Sequence, residues 1–166
     1  TKLVFDDKIK ILVTNSGSGP TIAATEAVLE KNKIFNTTTG WNPKAIGPDK
    51  TYTYRVWGTG NEFGASFLKW WIKNFPDKTK IAIFEGATSA GMASGAIMKS
   101  HAEALGFEVV HEDYTDETAS DFYAPITAMM AAGPDLIEMS ATRPGHEGLI
   151  VKQLHELGYE GTVVSA

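Results

Sequence analysis

The chain contains no cysteine in its 166 residues. That excludes disulfides, thiolate metal sites and a cysteine nucleophile, and it suits the cytosol and an exported compartment equally. No apolar run approaches the roughly 18 residues of a membrane span. No stripe of one charge is present: 15 Lys and Arg are scattered among 20 Asp and Glu, and the net charge of −5 argues against a nucleic-acid partner. The acidic cluster "HEDYTDE" from His111 reads as a solvated loop. An initiator Met and a signal peptide are missing from the opening "TKLVFDDK", so the N-terminus reads as processed or truncated.

What is present is ordinary globular composition, 43% hydrophobic and 21% charged, enough for one domain or pieces of two. Short apolar runs alternate with longer amphipathic ones. Ile9–Val13 reads as a strand and Pro20–Asn32 as a helix with Pro20 at its first position. Lys33–Thr38 is a second strand, Thr39–Lys50 a loop with two Pro and two Gly, and Tyr52–Trp57 an extended segment. The helix Asn61–Phe75 places Phe63, Phe67, Trp70 and Trp71 on one broad face, which assigns both tryptophans to core or lobe packing.

From Lys80 the rhythm is regular, with strands "KIAIFE", "FEVVHE", "DLIEMS" and "GTVVSA" separated by helices that stop at or beside Gly106, Gly133 and Gly158. Strand–helix alternation with short connections predicts parallel βαβ units and an α/β fold. The last strand has no following helix, so the chain reads as an interior piece of a longer protein. Apolar strand edges around Ile9–Val13 and Lys33–Thr38 are then expected to be exposed, and the fragment is expected to self-associate.

The loop "TNSGSGPTIAA" joins the first strand to the first helix. A P-loop would need Lys where Pro20 stands, and the dinucleotide fingerprint needs a third glycine beyond Gly17 and Gly19. Amides at the helix start, with the hydroxyls of Ser16, Ser18 and Thr21, suit a small anion such as a carboxylate; the same residues would also serve as a plain helix cap. His101, His111, His146 and His155 lack metal-ligand spacing, and no G-x-S-x-G elbow occurs. No metal, cofactor or catalytic residue is expected, and Asp121 reads as a helix cap.

Read together, "DDKIKILVTNSGSGPTIAATEAVLEKNKIFNTTT", "YTYRVWGTGNEFGASFLKWW", "KIAIFEGATSAGMASGAIMKSHAEALGFEVV" and "SDFYAPITAMMAAGPDLIEMSATRPGHEGLIVKQLHELG" resemble the type I periplasmic solute-binding proteins of the branched-chain amino acid transporter group. The resemblance runs nearly the whole chain. It implies two doubly wound α/β lobes closing by hinge motion on a small molecule, for delivery to an ABC permease at the membrane from the periplasm or cell exterior. Residues 1–51 would be the end of the N-terminal lobe, and 52–166 an incomplete C-terminal lobe. Such a protein has no chemistry of its own.

Carried over residue by residue, the resemblance puts Ser18 on the serine that holds a ligand carboxylate. Thr39 falls on a loop position that offers backbone contacts to an amino-acid headgroup. Trp41 falls where amino-acid binders have Thr, Ala90 where they have the Tyr of a "YG" pair, and Thr142 close to another pocket aromatic. These departures keep the carboxylate cradle and remodel the rest of the interlobe cleft. An aromatic or bulky acid is the ligand they suggest, with Trp41 and Trp57 as stacking walls. Arg143 and Glu138, at the end of "DLIEMS", lie where open α/β sheets place ligand contacts, and Arg143 suits an anion. Arg55 matches a structural arginine of the family's crossover. Two other readings stay open: a ligand-sensing regulator or receptor domain of the same fold, and a small α/β enzyme using the Ser18 loop.

Overall fold

The computed structural model describes residues 1–15, 17–58 and 60–165. Two compact units emerge, Thr1–Thr59 and Gly60–Ala166. The fold is α/β, and every strand pairing in it is parallel.

The first unit opens with a helical turn, α1 (Lys2–Phe5), absent from the expectations. Strands β1 (Ile11–Thr14), β2 (Phe35–Thr38) and β3 (Thr53–Arg55) form a sheet in that order. β2 is therefore the central strand and not the edge expected for Lys33–Thr38. The extended segment placed by the resemblance at the start of the next lobe instead adds β3 to this sheet, with Asn36 opposite Thr53 and Thr38 opposite Arg55. Helix α2 (Ser18–Ala24) starts two residues earlier than expected. Gly17, at φ 93°, turns the chain into it, so Pro20 is its third residue, still within the turn that has no use for an N–H. The helix widens into a π-turn, Thr25–Leu29, before the chain reaches β2.

Period-2 alternation divides this sheet unusually. Ile11, Val13, Phe35 and Tyr54 are exposed, while Asn36, Thr38 and Thr53 are buried with Thr21, Thr25 and Leu29 of the α2 segment. The apolar face is the uncovered one.

The second unit is covered on both faces. Its strands are β4 (Lys80–Gly86), β5 (Glu108–Thr115), β6 (Leu136–Glu138) and β7 (Thr162–Val164), in the order β5-β4-β6-β7. Helices α3 (Gly60–Asn74), α4 (Ser89–Ala104), α5 (Tyr123–Ala131) and α6 (Pro144–Glu156) complete it. Alternate residues of β4 feed two cores. Ile81 and Ile83 pack with Leu68, Trp71, Met98 and Ala102 from α3 and α4. Ala82 and Phe84 pack with Ile126, Met129, Ile150 and Leu154 from α5 and α6. A strand buried on both sides reads as an unbroken apolar run, which "IAIF", Ile81 to Phe84, is.

Helices α4, α5 and α6 are followed by Gly106, Gly133 and Gly158, each at positive φ, as the sequence predicts. The aromatic face of α3 needs correcting. Trp71 is buried and its Nε1 donates to the Lys78 carbonyl at 2.6 Å, but Trp70 is 53% exposed. Neighbouring helical residues point about 100° apart, so both cannot face one core.

Candidate functional site

In the first unit the chain leaves the C-terminal ends of β1 and β2 through two loops that lock together. The Ser18 Oγ accepts the Asn42 backbone N–H at 3.0 Å, joining the loop before α2 to the loop after β2. Thr39 donates its hydroxyl to the Asn15 side chain across the same gap. Beneath them, Thr21 Oγ1 donates to the Gly17 carbonyl at 2.8 Å, and Gly40 N–H donates to Thr38 Oγ1 at 3.0 Å. A Cβ on Gly40 would stand 3.5 Å from the Ser18 Cα and 3.3 Å from Thr38 Oγ1, so glycine lets the loops close up.

Arg55 on β3 fixes the second loop. Its Nε donates to the Gly40 carbonyl at 2.9 Å and its Nη2 to the Asn42 carbonyl at 2.7 Å, either side of half-buried Trp41. The structural role expected for Arg55 is thus visible as a clamp on the Trp41 loop.

The loops bring Ser18, Thr39 and Trp41 together at one sheet edge. Ser18 is only 2% exposed, so its hydroxyl serves first as the lock, retaining a proton to donate. Ahead of the first helical bond, Thr21 N–H to the Gly17 carbonyl, stand the amides of Ser18 and Gly19, the ordinary unsatisfied donors of a helix start. Trp57 is 58% exposed beyond β3. Ser16, the remaining candidate of this loop, lies outside the described residues.

The second unit has its own edge. The order β5-β4-β6-β7 reverses direction at the β4–β6 seam, and open α/β sheets bind ligands beyond the strand C-termini at such a switch point. Thr142 lies there, buried, its Oγ1 3.3 Å from both the Phe84 carbonyl and Glu85 Oε2. Ala90 is the second residue of α4, whose start is capped by Thr88 Oγ1 accepting from Gly91 N–H at 3.0 Å. Arg143, exposed at the start of α6, donates to the Glu117 carbonyl at 2.9 Å and pairs with its carboxylate at 3.7 Å. The surface ion pair is what the structure records for it.

Sequence reasoning missed what lies below Thr142. Glu85, near the end of β4, and Glu138, at the end of β6, are both fully buried, on the sheet face that α4 covers. Glu138, expected at the ligand edge, is instead an interior residue. Burial and the neighbouring acid push the Glu85 carboxyl far up, and burial pushes Glu138 up as well. Tyr114, in register with Glu85 on β5, is raised by burial and by donating to Glu112 at 2.9 Å. The signal available was a Glu ending two otherwise apolar strands; that the strands are neighbours depends on the crossover order.

Known proteins were compared with the chain. A family model described as "Periplasmic binding protein" matches residues 1–166. The Leu/Ile/Val-binding protein homolog 3 of Brucella melitensis is 25% identical over an alignment that covers 97% of this chain and 43% of the relative. Among solved structures, a leucine binding protein, LivK, of Thermotoga maritima superposes with a TM-score of 0.85 at 18% identity, over 99% of this chain and 46% of that one. A solute binding protein of an ABC transporter from Rhodopseudomonas palustris HaA2, in complex with p-hydroxybenzoic acid, gives 0.85 at 19%, over 99% and 45%. The chain thus spans less than half the length of the relatives it matches.

Proposed function

The chain belongs to the periplasmic binding protein family, and on that premise we propose that it serves as part of the extracytoplasmic solute-binding component of an ABC transporter. The ligand is a small carboxylate-bearing molecule, delivered to a membrane permease, and no chemical step is catalysed. In this reading the first unit belongs to the end of the N-terminal lobe and the second to most of the C-terminal lobe.

The observation that carries the reading is the double loop of the first unit. Two loops locked through Ser18 and clamped by Arg55 hold the α2 start in a fixed geometry. Preorganised amides at a helix start favour a carboxylate without the entropy of ordering a loop on binding. Ser18 and Thr39 contribute at this edge, and Trp41 offers a flat apolar surface beside it. In this reading Ala90 and Thr142 are the remaining ligand contacts, with Ser16, Trp57 and Arg143 as additional ones.

The choice between an amino acid and an aromatic acid rests on Trp41 and Ala90, where an indole replaces a small polar residue and a methyl replaces a phenol. Relatives fall on both sides: one is a leucine binding protein, another holds p-hydroxybenzoic acid. We favour the aromatic acid. Calorimetric titration of the full-length protein with 4-hydroxybenzoate, benzoate, leucine and valine tests it. Tighter binding of benzoates is expected; tighter binding of leucine or valine overturns the aromatic preference, and binding of no carboxylate overturns the whole reading.

A further inference from the structure

The β4–β6 seam holds two glutamates with no cation between them. Glu138 stands opposite Ile83 in register, and Glu85 lies two residues further along β4 on the same face, so the carboxyls are diagonal neighbours. Both are fully buried on the face that α4 covers, close enough for each acid to influence the other. Each also holds the segment after β6. Glu138 Oε1 accepts the Ser140 N–H at 2.9 Å, while Glu85 Oε2 accepts the Ala141 N–H at 2.8 Å and faces the Thr142 hydroxyl at 3.3 Å.

The remaining oxygens, Glu85 Oε1 and Glu138 Oε2, are buried and have no donor among the described residues. Two ionised carboxylates are acceptors only, so neither can satisfy the other. One proton, drawn from solvent, changes that: the protonated oxygen donates to its neighbour and a single negative charge remains, held by the amides of Ser140 and Ala141.

We propose that Glu85 and Glu138 act as one positioning unit, sharing a proton across the seam and through it holding the Ser140–Thr142 segment, so that this switch-point edge responds to pH. Losing the proton places two like charges side by side in the interior and drives the segment outward to admit water.

Among the described residues, the surrounding groups supply the pair with no counter-charge. From β5, Tyr114 stands beside Glu85 but donates to Glu112, which is paired with Lys99 of α4 at 2.7 Å. Glu117, after β5, is paired with Arg143. His111 is in register with Ala82, His101 lies beside Gly64 of α3, and β7 contributes the apolar Val164. Helix α4 comes close enough to cover the pair because a Cβ on Gly95 would fall 2.4 Å from the Tyr114 hydroxyl, space that only glycine leaves.

The sign of the effect follows. Relative to the ordinary glutamate value of 4.5, the folded pair holds its proton to higher pH, Glu85 to about 9. Its stabilisation is full below 4.5 and is lost as pH rises through that window.

The test uses the full-length protein with 13C-labelled glutamate, titrated by NMR, and the variants Glu85→Gln and Glu138→Gln, each of which supplies a permanent donor. One carboxyl is expected to titrate more than about two pH units above the exposed glutamates and to vanish from that range in either variant. The thermal midpoint should fall from pH 5 to pH 9 in the wild type and flatten in the variants. Deuterium exchange in residues 139–143, corrected for the intrinsic rate, should accelerate at high pH in the wild type alone. Glutamates that all titrate together, or pH profiles identical in wild type and variants, overturn the proposal. Only the consequence for affinity rests on the proposed function: 4-hydroxybenzoate binding should weaken at high pH in the wild type and not in the variants. If benzoates fail to bind at any pH, the functional reading falls, while titration and exchange still decide the pair.

Discussion

The two units solve the same problem, covering a parallel sheet, in opposite ways. In the second unit α3 and α4 cover one face of β4 and α5 and α6 the other, and every residue of β4 from Ile81 to Gly86 is buried. In the first unit the covered face is built from Thr38, Asn36 and Thr53 against Thr21 and Thr25, while Ile11, Val13, Phe35 and Tyr54 face outward, with Phe35 and Tyr54 stacked at 5.3 Å. A hydrophobic face of that kind belongs against another layer. The difference teaches that the second unit carries its own apolar core, while the first leaves its apolar face exposed and packs hydroxyls and an amide inside. Both units bury neutral hydroxyls and an amide, but only the second adds a pair of acids among the described residues.

The comparison can be broken most directly at β4. Phe84→Ala should cost about 3–5 kcal/mol by emptying the core under α5 and α6, with loss of denaturant resistance in the second unit. A cost under about 1 kcal/mol would mean that this unit is less self-sufficient than its packing implies.

Next comes Gly91→Ala. A Cβ there would lie 2.0 Å from the Gly86 carbonyl oxygen, so α4 must shift off the end of β4. The expected loss is about 1–3 kcal/mol, read from the denaturation midpoint; an unchanged midpoint would show that the helix end can slide freely.

In the first unit, Arg55→Ala removes both carbonyl contacts that hold the Trp41 loop. A cost of about 1–3 kcal/mol is expected, since hydrogen bonds to charged groups are worth more than neutral ones. Deuterium exchange should speed up in residues 39–45 and stay unchanged in residues 80–115. Protection that survives the substitution would assign the loop's order to Ser18 instead.

The smallest effect on stability is expected where the apolar face is uncovered. Ile11→Ser with Val13→Ser should change stability by less than about 1 kcal/mol. We propose that the same face drives self-association of the 166-residue chain. The double substitution should then lower its sedimentation coefficient; a monomer both before and after would refute that.

Much of the fold is legible because hydrophobic period and turn chemistry are local. The β4 run, the glycine stops and the strand–helix alternation need no knowledge of which strands are neighbours. What escaped depends on distant pairing or on a shared local choice. Tyr52–Trp57 reads as extended from its own residues, but only pairing with β2 assigns it to the first unit. Trp70 and Trp71 are equally apolar, and burial of one excludes the other. Gly17 moved the start of α2 because its positive φ, and not Pro20, turns the chain. Ser18, Thr39 and Trp41 became candidates through family resemblance, whereas the Ser18–Asn42 lock is a long-range bond across 24 residues. Glu85 and Glu138 are 53 residues apart in the sequence, and neither alone signals a pair.

The parallel pairing of every strand also sets the tempo of assembly. Among the described residues neither sheet contains a hairpin, so each pairing waits for a crossover to close. β4 emerges from synthesis well before β6, its neighbour on one side, and the Lys80 N–H that bonds the Asp135 carboxylate must wait for a partner 55 residues later. During that interval β5 and α4 can already cover one edge and one face of β4, while the β6 edge and the face that α5 and α6 cover stay open. Pairing β6 with β4 closes the longest sequence separation of any strand pair among the described residues, Ile81 to Leu136, so the loop-closure cost of the fold is concentrated at that seam.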